Sequence, residues 1–236
     1  HLMQLKEEQL HIIVLDNSTD DYVVENKEYF PIDLLTYHSM GGNVGLSKAY
    51  NYALSILKDK SEDDIVIWFD DDTPVKQEYF DCLKNKVVDK TFDVFVPVIY
   101  GQNGVIYSPN ESGWLKGKYI KSLEQQISQN KFNAINSCLA VRLKAYKGYT
   151  YDEGLFMDCV DTKLFDDFRK KELKFCTLPV KIYQNFFQRS DSRNVKKYWN
   201  RFRIRINDTL YYSSLNGFSS KLCGYIRILG WSLVYG

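Results

Sequence analysis

The chain has 236 residues and a mass of 27.7 kDa, enough to bury one substantial core and too little for two full-sized domains. Its 31 Lys and Arg residues balance 30 Asp and Glu to a net charge of +1, which argues against a nucleic-acid binder that works through overall charge. The five cysteines are scattered and form no C-x-x-C pair, which argues against a disulfide framework or a structural zinc site and fits the reduced thiols of a cytoplasm.

The chain opens on "HLMQLKEEQL", which lacks a basic segment leading into a long apolar stretch, so no secretory signal is expected. "HIIVLDN" then predicts a buried strand whose end, at Asp16 and Asn17, opens into a polar turn. In "GGNVGLSKAYNYALSILKDK" the glycines precede Leu46, Ala49, Tyr50, Ala53, Leu54 and Leu57 at helical spacing. "DIVIWF" and "DVFVPVIY" predict two further buried strands with the amphipathic "QEYFDCLKNKVV" between them. This alternation of strand and helix predicts an α/β sheet. "GQNGVIYSPNESGWLKGKYI" reads as a hairpin or an ordered loop carrying Trp114, a residue able to stack on a sugar ring or to fill a core. Leu164, Phe165, Phe168 and Leu173 suggest a helix on the core, and "CTLPVKIY" a last strand.

Ligands of open α/β sheets gather beyond the carboxyl ends of the strands, where Asp16-Asn17 and Asp70-Asp71-Asp72 are placed. If the second strand continues through these acids, Asp70 and Asp72 share a face and Asp71 points away. Two carboxylates side by side repel unless a cation lies between them, so this pair suits Mn2+ or Mg2+ and the phosphates such ions recruit. The competing use of such a cluster is a solvated turn or a helix cap at Thr73-Pro74. Glycines ahead of a helix likewise let the backbone approach a phosphate, or merely make a tight turn.

In order and spacing, "VLDNSTD", "GGNVGLSKAYN", "WFDDDT" and "YDEGLFMDCVDTKLFDDFRKK" resemble the motifs of family 2 inverting glycosyltransferases, particularly the rhamnosyltransferase-like branch. The resemblance implies a glycosyltransferase A fold, with a Rossmann-like, mostly parallel central sheet, flanking helices and a C-terminal helical appendage. Residues 1–189 would form the nucleotide-sugar-binding catalytic domain, with the family's opening strand expected to be missing, and residues 190–236 the appendage. By the same resemblance Asp16 and Asn17 approach the nucleoside, Gly42, Asn43 and Lys48 the nucleotide, and Asp70 and Asp72 the metal and diphosphate. Asp158 would be the general base, with Asp161 as the alternative because Cys159 stands where many relatives carry Asp. The family's histidine after the last strand has no counterpart here, since His1, His11 and His38 all lie upstream, which leaves Asn185 or Gln188 to replace it.

The implied reaction is transfer of a sugar, rhamnose by the branch resembled, from a dTDP- or UDP-linked donor to a glycan or lipid-linked glycan acceptor. It belongs to bacterial surface-polysaccharide synthesis on the cytoplasmic side. A glycosyltransferase-like domain that binds without turnover is the rival from another class. An Asp-nucleophile phosphohydrolase fits less well, because Pro74 stands where its D-x-D-x-T pattern needs Thr or Val. The last segment interleaves Arg and Lys with Trp, Phe and Tyr; near-zero net charge disfavours nucleic acid as its partner, which leaves two readings open, Arg201 and Arg205 facing a pyrophosphate or the headgroups of a peripheral membrane contact, or a solvated basic face. No run reaches the roughly 18 apolar residues of a membrane span.

Overall fold

The computed structural model describes residues 10–18, 35–113, 117–122, 124–186 and 195–235; His1, Trp114 and Gln188 lie outside them. Strand β1 (Ile12–Asp16) pairs in parallel with β2 (Leu35–Ser39), Asp16 opposite Ser39, and helix α1 (Leu46–Ile56) follows. Then come β3 (Ile65–Trp68), α2 (Gln77–Val87), β4 (Val94–Gly101) and β5 (Ile106–Ser108). The short strands β6 (Asn110–Glu111), β7 (Lys118–Tyr119) and β8 (Phe132–Asn133) form a separate small sheet. The chain continues through β9 (Leu139–Arg142), α3 (Val160–Lys170), β10 (Phe175–Gln184), α4 (Val195–Ser214) and α5 (Phe218–Tyr235).

The central sheet runs β10-β4-β9-β3, with β5 turned back on β4. The segment left open between hairpin and loop therefore begins as a hairpin, closed by the Gly101 N–H on the Val105 carbonyl at 2.9 Å. β4 and β10 are parallel, while β9 is antiparallel to both its neighbours. Thus β3, β4 and β10 point one way, and the reversed strand between them is a feature the sequence does not announce. Pro179 falls where the β10 register shifts between Leu178 and Lys181, a place where the lost N–H breaks no ladder bond.

Both faces of the sheet are covered, which explains the unbroken apolar runs. Val66, Trp68, Val94, Val96, Leu139 and Val141 face α1 and α3. The alternate residues Ile65, Ile67, Phe95, Ala140 and Leu178 face α2 with its Tyr79, Phe80 and Leu83. Among the largest fully buried side chains is Arg142, 1% exposed, whose guanidinium donates to the carbonyls of Val87 (2.6 Å), Phe92 (2.8 Å) and Asp89 (3.2 Å). These contacts tie β9 to the α2–β4 connection and give the buried cation polar partners. Trp68 at the end of β3 is fixed through its indole N–H to the Tyr146 hydroxyl (2.8 Å), which lies 3.0 Å from that of Tyr151.

Helices α4 and α5 cross closely because α5 presents Gly224, where a Cβ would lie 2.3 Å from the Ser213 Oγ of α4. Among the described residues no helix is long and apolar enough to cross a membrane.

Candidate functional site

The acids after β3 are arranged differently from the strand alternation. β3 ends at Trp68, and the Thr73 N–H returns to the Asp70 carbonyl at 3.3 Å, so residues 70–73 form a turn. Asp70 is half-buried and accepts the Gln184 amide at 3.1 Å, whereas Asp71 and Asp72 are exposed. Thr73 is buried with its hydroxyl 3.0 Å from that of Ser137. Burial raises the proton affinity of Asp70, the Ser137 and Gln184 hydrogen bonds oppose this, and the charges of Asp72 and Asp71 add to it. The three acids thus share a locality in which only Asp70 is built into the wall.

Asp161 lies in the first turn of α3, and burial of its carboxyl pushes its pKa up to about 7, with Asp70 and Asp158 adding to the rise and the Asn136 backbone opposing it. Asp70 and Asp161, remote in sequence, therefore feel each other's charge. Around them stand polar atoms without protein partners among the described residues: the Gln184 Oε1 and both polar atoms of the Asn136 amide, which approaches the Tyr50 hydroxyl without hydrogen-bond geometry. One turn before Tyr50 on α1, the buried Ser47 hydroxyl is also unpartnered. Buried unsatisfied groups are costly, and their concentration at the open end of a sheet fits a site meant for a polar ligand.

Asp158 does not share a helical turn with Asp161, because Cys159, left-handed at φ 62°, separates it from the start of α3. Its carboxylate is held by both guanidinium nitrogens of Arg201 on α4, the longer contact being 3.0 Å. The loop carrying it is gripped by Asp208, 3% exposed, which accepts the N–H groups of Phe156 (3.1 Å), Met157 (2.8 Å) and Asp158 (2.7 Å). Arg201 and Asp208 are seven residues apart, two helical turns on one face of α4. Tyr211 donates to Asp152 at 3.0 Å, and Tyr212 donates to Asp166.

The expected nucleotide residues sit along the joint between β1 and α1. Asp16 is 7% exposed and accepts from the Tyr37 hydroxyl and from the Ser18 N–H at 2.8 Å. Asn17 accepts the Val44 N–H (3.0 Å) and donates to the Gly45 carbonyl (3.4 Å), buckling the strand end onto the glycine loop. The Asn43 Oδ1 accepts the Gly45 N–H at 3.2 Å; Gly42 is half-buried and Lys48 is exposed. At Gly45, φ is 88° and a Cβ would stand 2.7 Å from the Phe156 ring. This closeness lets the Leu46 N–H donate to the Phe156 carbonyl at 2.7 Å, joining the start of α1 to the loop before Asp158.

A hard divalent ion takes oxygen ligands and commonly completes its shell with water and phosphate. Asp70, the adjacent Asp72 and the unpartnered Gln184 Oε1 fit that demand. No group of three His, Cys, Asp or Glu able to hold a metal occurs among the described residues, so phosphate and water would supply much of the shell. Asn185, one of the expected substitutes for the family's histidine, is exposed, and it is its neighbour Gln184 that reaches Asp70. A surface hollow of about 490 Å3 lined by Asn130, Asp166, Arg169, Lys170 and Asn216 contains none of these residues, and its Asp166 and Arg169 are paired with each other.

Sequence reasoning missed Gln184, Asn136 and Asp208, and the pairing of Arg201 with Asp158. The cation-and-aromatic pattern around Arg201 is visible in "KKYWNRFRIRIN", but nothing in "INDTL" marks Asp208 as an acceptor for a loop fifty residues earlier.

The family model described as glycosyl transferase family 2 matches residues 2–150, more than half of the chain, and stops short of Asp158. No curated protein matches. Among solved structures, GalNAc-T7 crystallised with UDP, GalNAc and Mn2+ superposes with a TM-score of 0.56 at 14% identity. The match covers 92% of this chain and 48% of that one, so the chain spans about half the length of GalNAc-T7. S. aureus TarS, residues 1–349, superposes with a TM-score of 0.50 at 17% identity, covering 93% of this chain and 69% of that one. At these identities the likeness speaks for the fold, which is the glycosyltransferase A type. With the family model matched over most of the sheet, the chain belongs to glycosyl transferase family 2.

Proposed function

We propose that the chain is an inverting glycosyltransferase that moves a sugar from a nucleoside diphosphate donor to an acceptor hydroxyl. In its fullest form the reading gives rhamnose as the sugar, dTDP or UDP as the carrier and a bacterial surface-polysaccharide precursor as the acceptor. The work is done on the cytoplasmic side, by a catalytic unit of residues 1–189 with an appendage of residues 190–236 built against it. The observation that carries the reading is the meeting of Asp70 and Asp161 among buried polar groups that lack partners.

In this scheme Asp16, Asn17, Gly42, Asn43 and Lys48 form the nucleotide side. Asp70, with Asp72 and Gln184 beside it, would hold a divalent ion, Mn2+ or Mg2+, which would supply positive charge for the departing diphosphate. Asp161 takes the base role in preference to Asp158. Burial raises the proton affinity of its carboxyl and so makes it the stronger base, while Asp158 is occupied by Arg201. The acceptor hydroxyl gives its proton to Asp161 as its oxygen bonds to the anomeric carbon. The opposite bond, from that carbon to the diphosphate oxygen, breaks with its electron pair leaving on the nucleoside diphosphate.

Thermal shift with a panel of nucleoside diphosphates and sugar nucleotides, with and without Mn2+, tests the donor half. One nucleotide should stabilise the protein in a metal-dependent way, and Asp70→Asn should abolish the effect. Asp161→Asn should keep the shift and lose transfer. No response to any nucleotide would sink the proposal, and binding by the wild type without turnover would favour the non-catalytic reading.

A further inference from the structure

Helix α5 is apolar on two opposite sides. One side packs inward through Cys223 and Gly224 on α4, with the Trp231 ring beneath the Arg205 guanidinium at 3.9 Å. The other side exposes Phe218 (83%), Leu222, Tyr225, Ile226, Leu229 (65%) and Leu233 (88%). At about 100° per residue these six fall within an arc of roughly 100°, a continuous stripe facing away from the protein. Such a stripe marks a surface made to be covered.

Charge selects what covers it. Residues 195–235 contain a single acid, Asp208, which is buried under the loop before Asp158. Against it stand Arg203 and Lys221, besides the arginines engaged at Asp158 and Trp231. Lys221 is exposed and borders the stripe. A second copy would bring an acid-free surface against another of the same sign, whereas lipid phosphates supply the missing anions. With 18 residues that include Lys221 and Arg227, α5 does not qualify to cross a bilayer, so its geometry is that of a helix lying in the headgroup plane.

We propose that the outward stripe of α5 docks this protein on an anionic lipid bilayer. If the glycosyltransferase reading holds, on which this clause alone rests, docking brings a lipid-linked acceptor to the loop that α4 holds.

The test needs no turnover, so a failed docking and a failed transfer are told apart. The full chain is sedimented with vesicles of phosphatidylcholine alone and of phosphatidylcholine with phosphatidylglycerol, at low and high salt. Binding should require the anionic lipid and weaken with salt. The double variant Leu229→Asp with Leu233→Asp should lower partitioning roughly tenfold or more and leave the melting temperature unchanged, because both side chains are exposed. Lys221→Gln, which keeps the stripe, should cost roughly fivefold on anionic vesicles only. Wild-type protein that stays in the supernatant, or a double variant that binds as well as wild type, overturns the proposal. So does a dimer, seen by light scattering, that the double variant dissociates and that ignores vesicles, which would assign the stripe to a second copy.

Discussion

Arg201 grips Asp158 through both guanidinium nitrogens from a helix that starts 37 residues after Asp158. Even in this pair, the Asp158 carboxylate adds to the proton affinity of Asp161. Arg201→Met should therefore leave Asp158 uncompensated and move the Asp161 titration to higher pH, by roughly half a unit to one unit. Asp158→Asn removes the same charge and should move it the other way. The acidic limb of the kcat/KM profile, or the Asp161 carboxyl followed by NMR, reads the sign directly, and shifts in the same direction for both variants would refute the coupling.

Asp208 supports the same loop by a different means. Its carboxylate collects three consecutive N–H groups, those of Phe156, Met157 and Asp158, which would otherwise be orphaned. Asp208→Ala should cost about 3 kcal/mol, because buried donors lose a charged acceptor together. The amide protons of residues 156–158 should exchange markedly faster than in the wild type. Urea unfolding combined with hydrogen exchange measures both, and unchanged exchange at these amides would remove Asp208 from this role.

These relationships divide what the sequence discloses from what it hides. The place of Asp70 was legible because a β-branched run ending in acids implies a strand end, and both-sided burial made that run continuous. The division of labour among the three acids was not, because strand alternation was extended past Trp68 into a turn. Gln184 was missed by one position, since the end of a strand decides which neighbouring amide faces inward. Asp208 and Arg201 act on a loop far away in sequence, and only the packing of α4 against that loop reveals them.

The raised titration of Asp161 has a consequence for stability as well as for catalysis. Its pKa is about 7 in the folded chain against an ordinary 3.8, so between these values the folded state holds a proton that the unfolded chain has released. The contribution of this residue to stability is therefore best below about pH 4, declines as pH rises towards 7 and is flat above that. Asp161→Asn removes the titrating group, so its melting temperature relative to wild type should rise from pH 5 to pH 8. A difference independent of pH would show that the carboxyl is not desolvated as described.

Gly45 and Gly104 separate backbone strain from steric closeness. Both have positive φ, 88° and 73°, but a Cβ at Gly104 meets nothing within 4 Å, while one at Gly45 stands 2.7 Å from the Phe156 ring and 2.8 Å from its carbonyl oxygen. Gly104→Ala should then cost about 1 kcal/mol, the penalty of the left-handed region alone. Gly45→Ala should cost about 2 to 4 kcal/mol, because it must also push Phe156 away and stretch the Leu46 N–H bond to the Phe156 carbonyl. That bond joins the glycine loop to the segment leading to Asp158, so Gly45→Ala should weaken nucleotide-dependent stabilisation and slow transfer together. Paired melts of the two variants, with and without the stabilising nucleotide and Mn2+, decide the matter: equal losses would mean that the contact with Phe156 adds nothing.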